Sequence, residues 1–77
     1  MDVSATIDEA RTKLANGKDK EAARLLTDAA YGTNDPELEN QIRAIAVEGR
    51  SKAGFMSKGR WDEIIRVADL RAKNGKD

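Results

Sequence analysis

The chain has 77 residues, with no cysteine and no histidine, and its 14 Lys/Arg balance its 14 Asp/Glu. That length holds one domain at most. The missing cysteines exclude disulfides and thiolate metal sites, and the missing histidines remove the commonest general base and metal ligand.

A chain this short buries only ~60–65% of the surface its unfolded form exposes. The strongly apolar inventory is lean as well: three Val, five Ile and five Leu, with single Phe, Trp and Tyr residues. Such a core is often completed by a second copy or a partner. The charge is unevenly spread, −4 over residues 1–48 and +4 over residues 49–77. Solvated helical faces account for such runs, and so would head-to-tail docking or an acidic partner. The amphipathic, acidic start is not an apolar signal segment. No run approaches the roughly eighteen apolar residues a membrane span needs, so a cytoplasmic protein is expected.

Apolar residues recur at three- and four-residue steps throughout, which predicts an all-α chain of four helices. The first covers about residues 4–15, with Val3, Ile7, Ala10 and Leu14 on one face. Ser4 is a candidate N-cap, and Thr6 to Glu9 offers a competing capping box. Asn16-Gly17 ends this helix, because glycine tolerates the left-handed C′ conformation. The second helix covers about residues 19–31 from an Asp19 cap, with Ala22, Leu25, Leu26, Ala29 and Ala30 inward and Gly32 as its stop. After Gly32-Thr33-Asn34, Asp35-Pro36 is the clearest start signal, since proline fits the first helical position.

The third helix is predicted over about residues 36–56, with Leu38, Ile42, Ile45, Gly49 and Met56 near one stripe and Ala46 and Ala53 beside it. Gly49 and Gly54 would each cost ~1 kcal/mol against alanine in a helix interior, which points to close packing or a bend. Ser57-Lys58-Gly59 closes it. The fourth helix is predicted over about residues 60–73, with Trp61, Ile64, Ile65, Ala68 and Ala72 inward and Val67 and Leu70 on the flank. Residues 74–77 should fray. Short connections make consecutive helices antiparallel. Two αα-hairpins follow, stacked as a short solenoid or closed into a compact bundle; a solenoid ordinarily wants three or more repeats.

The turn Gly17-Lys18-Asp19-Lys20-Glu21-Ala22 is echoed 42 residues later by Gly59-Arg60-Trp61-Asp62-Glu63-Ile64. Gly59 to Ile65 resembles the turn and second-helix start of a tetratricopeptide repeat. In that family a glycine ends the first helix, an aromatic follows two residues later and a small residue three beyond that. Trp61 takes the aromatic slot, and Phe55 matches the aromatic of the preceding helix. Ile64 stands where the small residue is usual. In the first unit Gly17, Ala22 and Ala29 match, while Lys13 and Asp19 stand at aromatic slots. The spacing exceeds the family's usual interval of about 34 residues. The resemblance spans residues 5–30 and 47–72 and implies a peptide- or protein-binding role without catalysis; the family's carboxylate-clamp residues have no counterparts here.

Chemistry is sparse. The acidic clusters Asp8-Glu9, Asp35/Glu37/Glu39 and Asp62-Glu63 sit in or near first helical turns, where the helix dipole favours them. None has calcium- or magnesium-type spacing. Ser4, Ser51 and Ser57 lack an activating base, and no strand precedes a phosphate loop. No catalytic residue, metal or cofactor is expected. Arg50, Lys52, Lys58 and Arg60, followed by Arg66, Arg71, Lys73 and Lys76, form the cluster that phosphate contacts would need. Asp62 and Glu63 at the head of a would-be recognition helix oppose this, as does a pI near 6.3. Trp61 beside Arg60 has the makings of an interface anchor, although its inward stripe favours the core. Tyr31 is a lid on the core or an interface residue. The expected function is therefore non-enzymatic: association with a partner protein or with itself as a homodimer, through Tyr31, Arg50, Arg60 and Trp61. Nucleic-acid contact by the basic C-terminal half is the alternative.

Overall fold

The computed structural model describes residues 2–33, 35–54 and 58–74. It is all-α: α1 (Val3–Ala15), α2 (Asp19–Gly32), α3 (Pro36–Lys52) and α4 (Lys58–Asn74). Phe55, Met56 and Ser57, assigned above to the end of the third helix, lie outside the described residues, as do Asn34 and residues 75–77.

The helix ends follow local chemistry. Asp2, not Ser4, caps α1: its Oδ1 accepts from the Ser4 amide at 3.0 Å. The acid wins because it stands one residue ahead of the helix, where its carboxylate reaches an orphan N–H. At the other end Gly17 takes φ +79°. The Lys18 amide donates to the Lys13 carbonyl at 2.9 Å and the Gly17 amide to Leu14 at 3.1 Å, a Schellman closure. Asp19 is not the cap of α2 but its first residue; Lys18 holds the cap position and makes no side-chain capping bond. Asp35 caps α3 as the sequence implies, its Oδ1 accepting from the Glu37 amide at 2.9 Å, with Pro36 in the first turn.

Two boundaries differ from the sequence expectation. α3 ends at Lys52, so Gly54 lies outside it and carries no helix-interior cost. α4 starts at Lys58, so Gly59 is a helical residue, not a stop. A near-terminal glycine can be absorbed by a helix whose inward residues are already anchored, since tertiary packing outweighs propensity.

α1 packs on α2 and α3 on α4 as two antiparallel hairpins. The hairpins meet through α2 on α4, α2 on α3 and α1 on α3, while α1 and α4 have at most marginal contact. The core is one cluster: Ile7, Ala10 and Leu14 from α1; Ala22, Ala23, Leu26, Ala29 and Ala30 from α2; Ile42, Ile45 and Ala46 from α3; Trp61, Ile64, Val67 and Ala68 from α4. Val67, expected on the flank, is buried, because α4 packs on α2 as well as on α3 and so has more than one face covered. The Cα envelope measures 36 × 23 × 14 Å with a radius of gyration of 11.3 Å, near the ~11.5 Å of a compact chain of this length.

Trp61 is 1% exposed. Its ring lies against the α3 backbone at Gly49, where an added Cβ would come within 2.6 Å of Cη2 and Cζ3. Gly49 is therefore the notch that admits the indole between α3 and α4. Two ion pairs bridge the same helices outside the core: Arg43 Nε to Asp69 Oδ1 at 2.6 Å, and Arg50 to Asp62.

Candidate interaction surface

The second helices of the two hairpins run parallel. Lys20 and Ala23 of α2 lie beside Arg60 and Trp61 at one end, and Tyr31 of α2 meets Arg71 of α4 at the other. This follows from the stacking of two hairpins of the same sense. Helical spacing then places Lys20, Arg24, Thr27 and Tyr31 along one edge of α2. Between α2 and α4 opens a shallow groove of about 560 Å³, lined by Lys20, Glu21, Arg24, Thr27, Asp28, Arg60 and Glu63. Three cations and three carboxylates make it net neutral. Among the described residues, Lys20, Arg24 and Arg60 have no ion-pair partner, whereas Glu63 meets Arg66 at 3.8 Å.

The four residues expected to bind a partner are not brought together. Arg60 lines the groove. Tyr31 stands at its far end, 54% exposed, with the Arg71 guanidinium carbon 5.4 Å from its ring centroid, a cation–π contact. Leu70, next to Arg71, is 55% exposed and gives this end an apolar element. Arg50 is on another face, tied to Asp62 across the α3–α4 seam. Trp61 is in the core, so in this fold its indole is not a surface anchor.

Glu39 is the residue the sequence did not single out. The sequence groups it with Asp35 and Glu37 as first-turn acids, but the structure separates them: Asp35 and Glu37 are exposed, whereas Glu39 is 0% exposed and neither carboxylate oxygen has a hydrogen-bond partner. Burial pushes its pKa from the ordinary 4.5 to about 7, with Arg71 pulling partly the other way. The signal was present in the helical register, since Glu39 lies three residues before Ile42, seven before Ala46 and ten before Gly49, all on the inward stripe.

Among the described residues no group of three or more metal-ligating side chains converges, and no helix is long and apolar enough to cross a membrane. No family model, curated protein or solved structure matches this chain.

Proposed function

We propose that the chain is a non-enzymatic helical interaction module that associates through the groove between its hairpins, with a second copy of itself as the occupant the groove suits best. The observation that carries this is the α2–α4 groove, where Lys20, Arg24 and Arg60 have no ion-pair partner among the described residues and stand beside Glu21, Asp28 and Glu63, with Tyr31 exposed at the end of α2 and Leu70 exposed on α4. A two-fold interface is self-complementary. Two such grooves laid antiparallel set the basic end, Lys20 and Arg60, against the acidic side chains farther along. Exposed aromatic and aliphatic side chains at the groove's end supply desolvation that ion pairs alone do not.

The stacking of α1 on α3 and α2 on α4, with α1 and α4 apart, supports a tetratricopeptide-like pair of repeats over a closed four-helix ring. A two-repeat stack leaves both outer edges uncovered, which suits a protein that pairs with another surface.

Light scattering behind size exclusion over a concentration series tests the proposal. A mass moving from one chain toward two, with Arg60→Glu or Tyr31→Ala holding the protein monomeric, supports it. A monomer at every concentration refutes self-association, and salt-sensitive retention on heparin would favour the nucleic-acid alternative.

A further inference from the structure

Tyr31, Arg71 and Glu39 stand on three helices at the end of the molecule where α2 and α4 finish and α3 begins. Glu39, in the first turns of α3, points into the interior with both oxygens unbonded. Arg71, half-buried in the last turn of α4, lies on the helix packed antiparallel against α3, and its charge favours the ionised carboxyl, yet among the described residues the two form no ion pair. Its guanidinium rests instead over Tyr31 at the end of α2. We infer that Glu39, Arg71 and Tyr31 form a proton-linked latch: while Glu39 is neutral, Arg71 covers the Tyr31 ring, and when Glu39 ionises, Arg71 turns inward to the carboxylate and uncovers the ring.

The surroundings leave Arg71 as the group that responds. The buried side of α1 carries Thr6, Ile7, Ala10 and Leu14, none of them ionisable. The buried side of α2 carries Ala22, Ala23, Leu26, Ala29 and Ala30, none of them ionisable, while Arg24 and Asp28 line the groove on its outer side. On α4 the core residues are apolar and Lys73 is exposed, while Arg43, one turn beyond Glu39 on α3, is held by Asp69 on the outer face. On α3, Asp35 turns to its own helix, where it caps the Glu37 amide.

A buried, unpaired carboxylate is costly when charged and cheap when neutral. With the proton on, nothing draws Arg71 inward, and the exposed aromatic face is its best contact. With the proton off, a charge-assisted bond in a dry setting outweighs a cation–π contact at the surface. Burial raises the carboxyl toward neutrality, so the exchange falls where modest pH changes move it. The latch stands whether or not the groove binds anything, although Tyr31 lies at the groove's end.

The chain has one tyrosine beside one Trp and one Phe, so the Tyr31 ring current on the Arg71 side chain is isolated by comparison with Tyr31→Leu. NMR titration of the intact protein from about pH 5.5 to 8.5 should show the Arg71 Hδ signals shifted upfield at the acid end. They should lose that shift with the same midpoint as the Glu39 carboxyl carbon. In Glu39→Gln the upfield shift should persist across the range. Tyr31→Leu should abolish it at every pH, while Tyr31→Phe keeps both the ring and the titration. Arg71 signals that do not move in the wild type, or that move identically in Glu39→Gln, overturn the latch. If Glu39→Gln fails to fold, the wild-type titration decides alone, and separate midpoints for Glu39 and Arg71 overturn it.

Discussion

Replacing Gly49 by alanine sets two effects of known size against each other. Alanine in mid-helix is worth about 1 kcal/mol over glycine, so on propensity alone Gly49→Ala should stabilise the protein. The structure reverses the sign. The new methyl would stand 2.6 Å from Trp61 Cη2 and Cζ3 and 2.8 Å from Cε3, well inside contact between carbons. The obstacle is a rigid indole in the core, not the free end of a flexible chain, so α3 and α4 must part by about 1 Å or the ring must leave its rotamer. Forced overpacking costs about 1–3 kcal/mol and occasionally more. The Arg43–Asp69 and Arg50–Asp62 bridges across the same seam would be stretched as well. Set against the gain of about 1 kcal/mol, that leaves a net loss of up to about 2 kcal/mol. Gly59→Ala is the internal control: it is also helical, but a Cβ there meets nothing within 4 Å, so it should be neutral or gain up to about 1 kcal/mol. Urea unfolding followed by Trp61 fluorescence measures both. A Gly49→Ala variant as stable as Gly59→Ala would refute the notch.

Trp61→Ala should cost about 3–5 kcal/mol, enough to unfold much of a chain this small; because it removes the one tryptophan, its urea unfolding is followed by circular dichroism. Glu39 sets a pH dependence of definite sign. Its folded pKa of about 7 lies above the ordinary 4.5, so the folded state holds the proton more tightly and the stabilisation is complete below about pH 4.5. It is lost as pH rises to 7, by at most about 3 kcal/mol at ~1.4 kcal/mol per unit of pKa. Glu39→Gln should remove that slope, and a wild type whose urea midpoint does not fall between pH 5 and 8 would contradict the buried carboxyl. Arg50→Ala breaks a half-exposed pair and should cost no more than about 1 kcal/mol. It should leave the light-scattering mass unchanged, whereas Arg60→Glu should not.

The helices were legible wherever a side chain or a glycine acts on its own backbone. Gly17 and Asp35-Pro36 did their work through bonds spanning a few residues, and these are written locally. The apolar stripes were legible for the same reason. What escaped depended on partners distant in sequence. Gly59 lies inside a helix whose inward residues are anchored on other elements, and Val67 is covered because α4 packs on α2 as well as on α3. Glu39 was legible in register but was overruled by a rule about charge at helix starts that describes exposed first turns. For the groove, Tyr31 and Arg60 could be named as polar or aromatic residues near helix ends. Lys20 and Arg24 became its neighbours only through the parallel run of α2 and α4, which no local pattern encodes.

Four alanines, Ala22, Ala23, Ala29 and Ala30, face inward along α2 and are at most 1% exposed. With side chains so short, α2 offers its neighbours no slack of flexible methylenes to take up a change. A valine at any of them would act as a shim, tilting one hairpin against the other like a door hung on too thick a hinge. In such a thin slab the angle between hairpins is thus an inheritable trait, adjustable one methyl at a time.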